Sequence, residues 1–366
     1  MNNQRNTKGI VRPSLVIGVG GTGVSVLSWI KKDILETYGD YDQLPLRLLL
    51  IDVVEPQVRV GRAGVNPTEV GADFFETSYD DLDLDKEFVQ IATAVTPVSI
   101  EQVKAGVANK DPQFAHFSRW YCHDKFPPQL ETNLASGAGR LRQLGRMAAV
   151  YGIHAQGKND PLYVAINNKV SEILKDNRQI DIHLVGSFAG GTGSGIFQDV
   201  IWLVRKIVKE VNPNASIFVS GFFAMPRALM QMADKNMSAK AFNAWRELNR
   251  MMTINQSEGN DFMLRWGSDG SRMFNVRDGI IDQVYLFAKP VDNIYRAPNE
   301  GLFPMMGEAV SFFIDAASGT PYIEQIRNNL LYQRNTAEYR GRPVYSVCYV
   351  KAWKLPAFHN KQLVSH

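Results

Sequence analysis

Apolar and polar positions alternate along this chain in blocks that change period, from short continuous apolar runs to helical spacing and back. SLVIGV at Ser14–Val19 is a short apolar run of strand length, TGVSVLSWIKKDILETY carries apolar residues three and four apart, and LRLLLIDVV at Leu46–Val54 is again a continuous run. That is a βαβ unit. Strands that are apolar throughout imply a sheet covered on both faces, so the fold class is α/β with a doubly wound, mostly parallel sheet. The same grammar resumes later. GRLRQLGRMAAVYG and NNKVSEILKDN predict helices, DIHLVGSF a strand, IFQDVIWLVRKIVKEV a helix closed by NPNA, and SIFVSGFF a strand. AKAFNAWRELNRMM is helical, IDQVYLFA a strand, GLFPMMGEAVSFFIDAAS a long apolar helix, IEQIRNNLLYQ a further helix and PVYSVCYVKAW a last strand. Between Glu55 and Leu134 the pattern is irregular, with an acidic run, YDDLDLDKE, and Pro-containing turns, which predicts a long insertion between sheet elements. The expected division is a nucleotide-binding domain over 1–298 with the insertion at about 56–134, a central helix over 299–318, and a reduced second domain over 319–366.

Composition narrows the partners. The chain has 366 residues, 45% hydrophobic and 21% charged, which is ordinary for globular proteins. Forty basic against 37 acidic residues leave a formal charge of +3, and no Lys/Arg block stands out, so nucleic acid is not an expected partner. The polar N-terminus MNNQRNTKG lacks the apolar centre of a signal peptide, and no apolar run approaches the ~18 residues of a membrane helix. A soluble, cytoplasmic protein is expected. Two cysteines, Cys122 and Cys348, are too few for a disulfide framework. His116 with Cys122-His123-Asp124 is too sparse for a metal site, and the aromatic stretch HFSRWYCHDKF predicts packing of the insertion rather than a partner surface.

The candidate chemistry lies in three glycine loops at strand-to-helix junctions. GVGGTG occupies Gly18–Gly23, SGAGR occupies Ser136–Arg140, and GGTGSG occupies Gly190–Gly195. Glycine turns leave backbone N–H groups facing outward, and the positive end of the following helix adds to them, so each loop suits an anion such as phosphate. The Thr192 and Ser194 hydroxyls are candidate further donors. Three such loops at the carboxyl ends of parallel strands point to one polyphosphate site. None carries the lysine of a Walker A loop. Taken alone, GVGGTG with Asp52 closing the next strand also satisfies a dinucleotide-binding fingerprint, or that of a ubiquitin-activating type of adenylyltransferase. Those readings leave GAGR and GGTGSG unexplained.

GGTGSG after a buried strand resembles the glycine signature of the tubulin/FtsZ superfamily, with Ala189 in place of its first glycine. GVGGTG is similar to the first phosphate loop of the FtsZ branch, and GAGRLRQLGRMAA to its GAGANPxxGRxAA. LLLIDVVEP resembles tubulin's VDLEP, and AFNA at Ala241–Ala244 resembles PYNA. The long insertion is similar to those of large bacterial tubulin-like proteins.

The resemblance implies GTP or GDP held by Gly20, Gly21, Thr22 and Gly23, by Gly137, Ala138, Gly139 and Arg140, and by Gly190, Gly191, Thr192, Gly193, Ser194 and Gly195. It implies that Asn243 reads the guanine edge and that Asp52 and Glu55 lie near the γ-phosphate and a Mg²⁺ ion. Arg146 is a further candidate for neutralising phosphate. It further implies a GTPase of the cytoskeletal type, polymerising head to tail, with hydrolysis completed between subunits by an acid following the central helix. The family pattern NxDxxD is missing there. Asn335-Thr-Ala-Glu338 offers Glu338, and Glu324 is the other acid. A non-hydrolysing GTP- or GDP-binding scaffold is the alternative, and the insertion is a candidate surface for a protein partner.

Overall fold

The computed structural model describes residues 11–39, 42–55, 82–91, 97–122, 138, 141–232, 237–254, 262–266, 273–276, 281–288, 301–335 and 345–349. Its centre is a sheet of seven strands. In chain order they are β1 Ser14–Val19, β2 Leu46–Asp52, β3 Phe88–Gln90, β4 Gln179–Ser187, β5 Ser216–Ala224, β8 Gln283–Ala288 and β9 Tyr345–Tyr349. They lie in the order β3-β2-β1-β4-β5-β8-β9, and every pair is parallel. The two remaining strands, β6 Phe262–Arg265 and β7 Met273–Val276, form a separate antiparallel pair.

The period-two alternation of the strands sorts their side chains onto two layers. Leu15, Ile17, Leu49, Ile51, Ile182, Leu184, Val219 and Phe223 face one apolar cluster, whereas Val16, Leu48, Leu50, Val185, Phe218 and Phe222 face the other. The first layer is closed by α4 Arg142–Gln156, α5 Pro161–Leu174, α6 Gly191–Val211 and α7 Met237–Ile254, the second by α1 Gly20–Tyr38, α8 Leu302–Ile314 and α9 Ala316–Asn335. Right-handed crossovers require this split, because α1 carries the chain from β1 to β2 while α6 carries it the opposite way, from β4 to β5. A crevice therefore opens between the carboxyl ends of β1 and β4, where the direction of winding reverses.

Three features go beyond the sequence pattern. The irregular 56–134 stretch contributes the edge strand β3, paired with β2, and the helices α2 Leu84–Glu87 and α3 Pro97–Ala108. Its aromatic segment packs inward, with Phe117 fully buried among Trp120, Tyr151 and His154. The apolar stretch from Gly301 stops at Asp315, whose carboxylate accepts hydrogen bonds from the Ser318 amide (2.8 Å) and hydroxyl (2.7 Å) and so starts α9 as a separate helix. Tyr345–Tyr349 pairs with β8 as an outer strand of the same sheet.

Candidate functional site

The first glycine loop is shaped by packing at one end and by backbone conformation at the next. A Cβ on Gly23 would lie 2.5 Å from the Gly18 carbonyl carbon, so the loop folds back on itself only with hydrogen at that position. Gly20 has φ +69°, in the left-handed region that glycine tolerates. From that position the loop reaches the third one: a Cβ on Gly20 would stand 3.2 Å from the Gly193 amide nitrogen, and a Cβ on Gly193 3.0 Å from the Val19 carbonyl oxygen. Two loops separated by some 170 residues are thus in backbone contact across the β1–β4 crevice.

The second loop joins them through α4. Ala138 is buried and its carbonyl accepts from the Leu141 amide at 2.7 Å, turning the chain into α4. That helix lies against the start of α6 at backbone distance. A Cβ on Gly145 would meet the Gly191 oxygen at 2.5 Å, and a Cβ on Gly195 the Arg142 oxygen at 2.4 Å. Gly137, Gly139 and Arg140 lie outside the described residues. The first and third loops thus meet at backbone distance, and α4, which follows the second, lies against the start of the third.

The three helices that begin here, α1, α4 and α6, lack a side-chain N-cap and lack an acid in the first turn. At two other helices this requirement is met: Asp160 caps α5 by accepting from the Leu162 amide at 2.9 Å, and Asp83 caps α2, whereas α8 starts from Gly301 without a side-chain cap. An uncapped helix start carries unpaired N–H groups and partial positive charge. Three such ends around one crevice are electrostatically suited to an anion of several charges. Beside Gly21, which is exposed, and Gly190, which is half-buried, a Cβ would find nothing within 4 Å. Packing explains Gly18, Gly23, Gly145, Gly193 and Gly195, but not these two.

The hydroxyls act on the loop itself. Ser194 is buried and its Oγ donates to the Gly190 carbonyl, so it closes the first turn of α6 rather than pointing into the crevice. The Thr192 hydroxyl bonds the Asp52 carboxylate at the end of β2. Asp52 also accepts from its neighbour's amide, Val53, at 2.7 Å. Burial raises its pKa above the ordinary carboxylate range against the opposing pull of Thr192, Val53 and Val54. Glu55 is exposed three residues on. Thr22 is half-buried in the first turn of α1.

Arg146 does not neutralise the crevice. Its Nε and Nη2 hold both oxygens of Asp199, at 2.9 and 3.0 Å; Trp266 Nε1 donates to the same carboxylate at 2.8 Å, and the guanidinium lies over the Trp120 ring, 4.6 Å from its centroid. It ties the insertion and the β6–β7 pair to α6. Asn243 is exposed on α7, which packs on its layer through Ala241, Ala244 and Leu248. One turn beyond it, Glu247 bonds Arg142 and Gln198 beside the start of α6. Sequence reasoning missed Arg142 and Glu247; the available signal was a cation in the first turn of α4, where the helix dipole disfavours it.

Glu324 is exposed on α9. That helix sits at the other end of the sheet, since Thr320 accepts from Arg12 at 2.8 Å and Arg327 lies 3.7 Å from Asp181 near the start of β4. Asp181 and Ser187 are separated along β4 by about 20 Å at the usual rise per residue. Glu324 is therefore distant from the glycine loops of its own molecule. Glu338 lies outside the described residues. Among the described residues there is no cluster of three or more His, Cys, Asp or Glu side chains able to hold a metal ion, and no helix long and apolar enough to cross a membrane.

A search of curated proteins finds no match. Among solved structures, the chain is similar to CetZ2 from Haloferax volcanii, determined as a GTPγS-bound protofilament, at 12% identity and a TM-score of 0.39, over 82% of this chain and 56% of that one. The present chain thus spans little more than half the length of that relative. The family model described as "Tubulin like" matches residues 15–359, from β1 through β9. The chain belongs to the tubulin-like family.

Proposed function

We propose that the crevice between β1 and β4 binds GTP or GDP and that the protein is a GTPase that assembles with copies of itself. The observation that carries the nucleotide is the meeting of three uncapped helix starts around glycines whose open sides packing does not explain. Gly20–Gly23, Gly137–Gly139 and Gly190–Gly195 would face the phosphates, with Arg140 beside them. Membership of the tubulin-like family and the GTPγS of CetZ2 favour guanine over other bases. Asn243 is assigned to the base edge, on a helix tied beside the third loop.

A Mg²⁺ ion fits the donors present. Magnesium on a nucleotide takes one or two carboxylates and keeps phosphate and water oxygens, so Asp52 and Glu55 suffice without a larger cluster. When bound it would offset phosphate charge. Asp52 meanwhile holds Thr192, and through it the third loop, against the end of β2.

Hydrolysis is assigned to an acid supplied by a second copy. The placement of Glu324 at the far end of the sheet supports this, because an acid there reaches a glycine crevice only on the next molecule in a head-to-tail row. Glu338 is the other candidate. The protofilament state of CetZ2 is in keeping with such a row. The insertion at 56–134 is assigned to partner recognition.

Nucleotide released on denaturing the purified protein tests the first step: guanine is expected, and adenine or nicotinamide would overturn it. Phosphate release rising more steeply than protein concentration is expected for sites completed between subunits. A negligible rate at every concentration would replace the GTPase with a non-hydrolysing scaffold.

A further inference from the structure

Arg142 stands where three separately encoded elements meet. Its Nε and Nη2 both donate to the Ser194 carbonyl, at 3.0 and 2.9 Å, in the first turn of α6. Nη1 donates to Glu247 Oε1 on α7 at 3.2 Å, and Nη2 to Oε2 of the same carboxylate. Gln198, one turn along α6, donates to that Oε2 as well. A single guanidinium thus links the start of α4, the phosphate-facing end of α6 and the middle of α7.

Stability alone is a poor reason for this arrangement. Arg142 and Glu247 are 16% and 46% exposed, and ion pairs of that kind contribute about 0–1 kcal/mol. A cation in the first turn of α4 also opposes that helix's dipole. What the fork does fix is distance. Asn243 precedes Glu247 by four residues on one helix face, about 6 Å along the axis, so anchoring Glu247 to Ser194 sets where Asn243 stands relative to the third glycine loop.

We propose that Arg142 is a positioning residue for base selection: by clamping Glu247 to the Ser194 carbonyl it holds α7 in register with the phosphate loops, without touching base or phosphate. The proposal rests on the guanine-nucleotide reading above. The planar fork is required, because a lysine has the charge but cannot span Ser194 and both carboxylate oxygens in fixed geometry.

The test uses the full chain with Mg²⁺ and measures equilibrium affinities for GDP, ADP and pyrophosphate by calorimetry, with thermal unfolding alongside. Arg142→Lys and Glu247→Gln are each expected to lower the GDP-over-ADP preference by about tenfold or more, while pyrophosphate affinity changes by less than about threefold. The double variant is expected to lose no more than the worse single one, since both break one clamp. Unchanged preference in both single variants overturns the proposal. So does an equal fall in all three affinities, which would mean general damage to the loops. Glu247→Gln alters an exposed side chain, so it remains informative should Arg142→Lys fold poorly. A wild-type protein that binds neither GDP nor pyrophosphate overturns the guanine-nucleotide reading along with this one; a wild type that prefers GDP, with variants that do too, overturns only the clamp.

Discussion

Gly21 and Gly190 have room for a side chain that Gly18, Gly23, Gly193 and Gly195 lack, and that difference separates binding from folding. Gly190 has φ −79°, which any residue adopts, and Gly21 lies in a helical turn. Gly21→Ala and Gly190→Ala should leave the melting temperature unchanged, or raise it by removing up to about 1 kcal/mol of unfolded-state entropy at Gly21. Both should weaken nucleotide binding at least tenfold. Calorimetry showing wild-type affinity in both would remove the phosphates from these loops. Two buried titratable groups give a second residue-scale prediction. Asp160 is raised to about 6 by burial, so below pH 6 the folded state gains a proton that the unfolded state takes up only near its ordinary 3.8, and stability grows on acidification through that window. His183, fully buried against Ser220 and lowered to about 3, has the opposite sign: stability is lost as pH falls below 6.5. Between pH 4 and 6 the two slopes offset each other. Asp160→Asn, which keeps a capping oxygen, should expose the histidine slope of up to about 1.4 kcal/mol per pH unit, giving a difference from wild type of about 2 kcal/mol accumulated between pH 4 and 6. Denaturant titrations across that range check it, and parallel curves for the two proteins would reject the assignment.

At the scale of elements, the contact between α4 and α6 is backbone against backbone. Gly145 and Gly195 leave no space for a methyl group, with carbonyl oxygens 2.5 and 2.4 Å from where a Cβ would stand. Alanine at either position must push the two helix starts apart, at a cost of about 1–3 kcal/mol. The expected phenotype differs from that of Gly190→Ala in stability: a lower melting temperature accompanies the weaker binding, because the starts of α4 and α6 separate. Full stability in Gly145→Ala would show that the helices accommodate the change. The same element view explains why GGTGSG is legible from sequence while its internal roles are not. The string marks a tight strand-to-helix turn, yet only the neighbouring α4 reveals that Gly195 serves packing and Gly190 faces open space.

For the whole molecule, the glycine crevice and α9 lie at opposite ends of the sheet, so an active site needing both requires two copies. A subunit carrying Gly190→Val should be unable to bind nucleotide while still presenting its own acid; one carrying Glu324→Gln should do the reverse. Mixing the two inactive variants should restore phosphate release toward about a quarter to a half of the wild-type rate, as expected when one kind of junction in a mixed row is intact. Absence of any recovery, with both variants folded, would place the acid elsewhere and shift attention to Glu338.

Sequence alone determined the layered α/β plan, the succession along the chain of most helices and strands, and the presence of three anion-suited turns, because hydrophobic period and glycine spacing are local properties of the chain. It also indicated the tubulin-like family through those turns. Tertiary structure decided what each residue does there. Ser194 turns inward to Gly190, Thr192 binds Asp52 and Arg146 is taken by Asp199, while Arg142 gains a role that its position in GRLRQLGR does not announce. The physical reason is distance along the chain: apart from the Ser194–Gly190 bond within one turn, these partners are joined across about 50 to 140 residues, and only the winding of the sheet around the β1–β4 crevice brings them within hydrogen-bond reach.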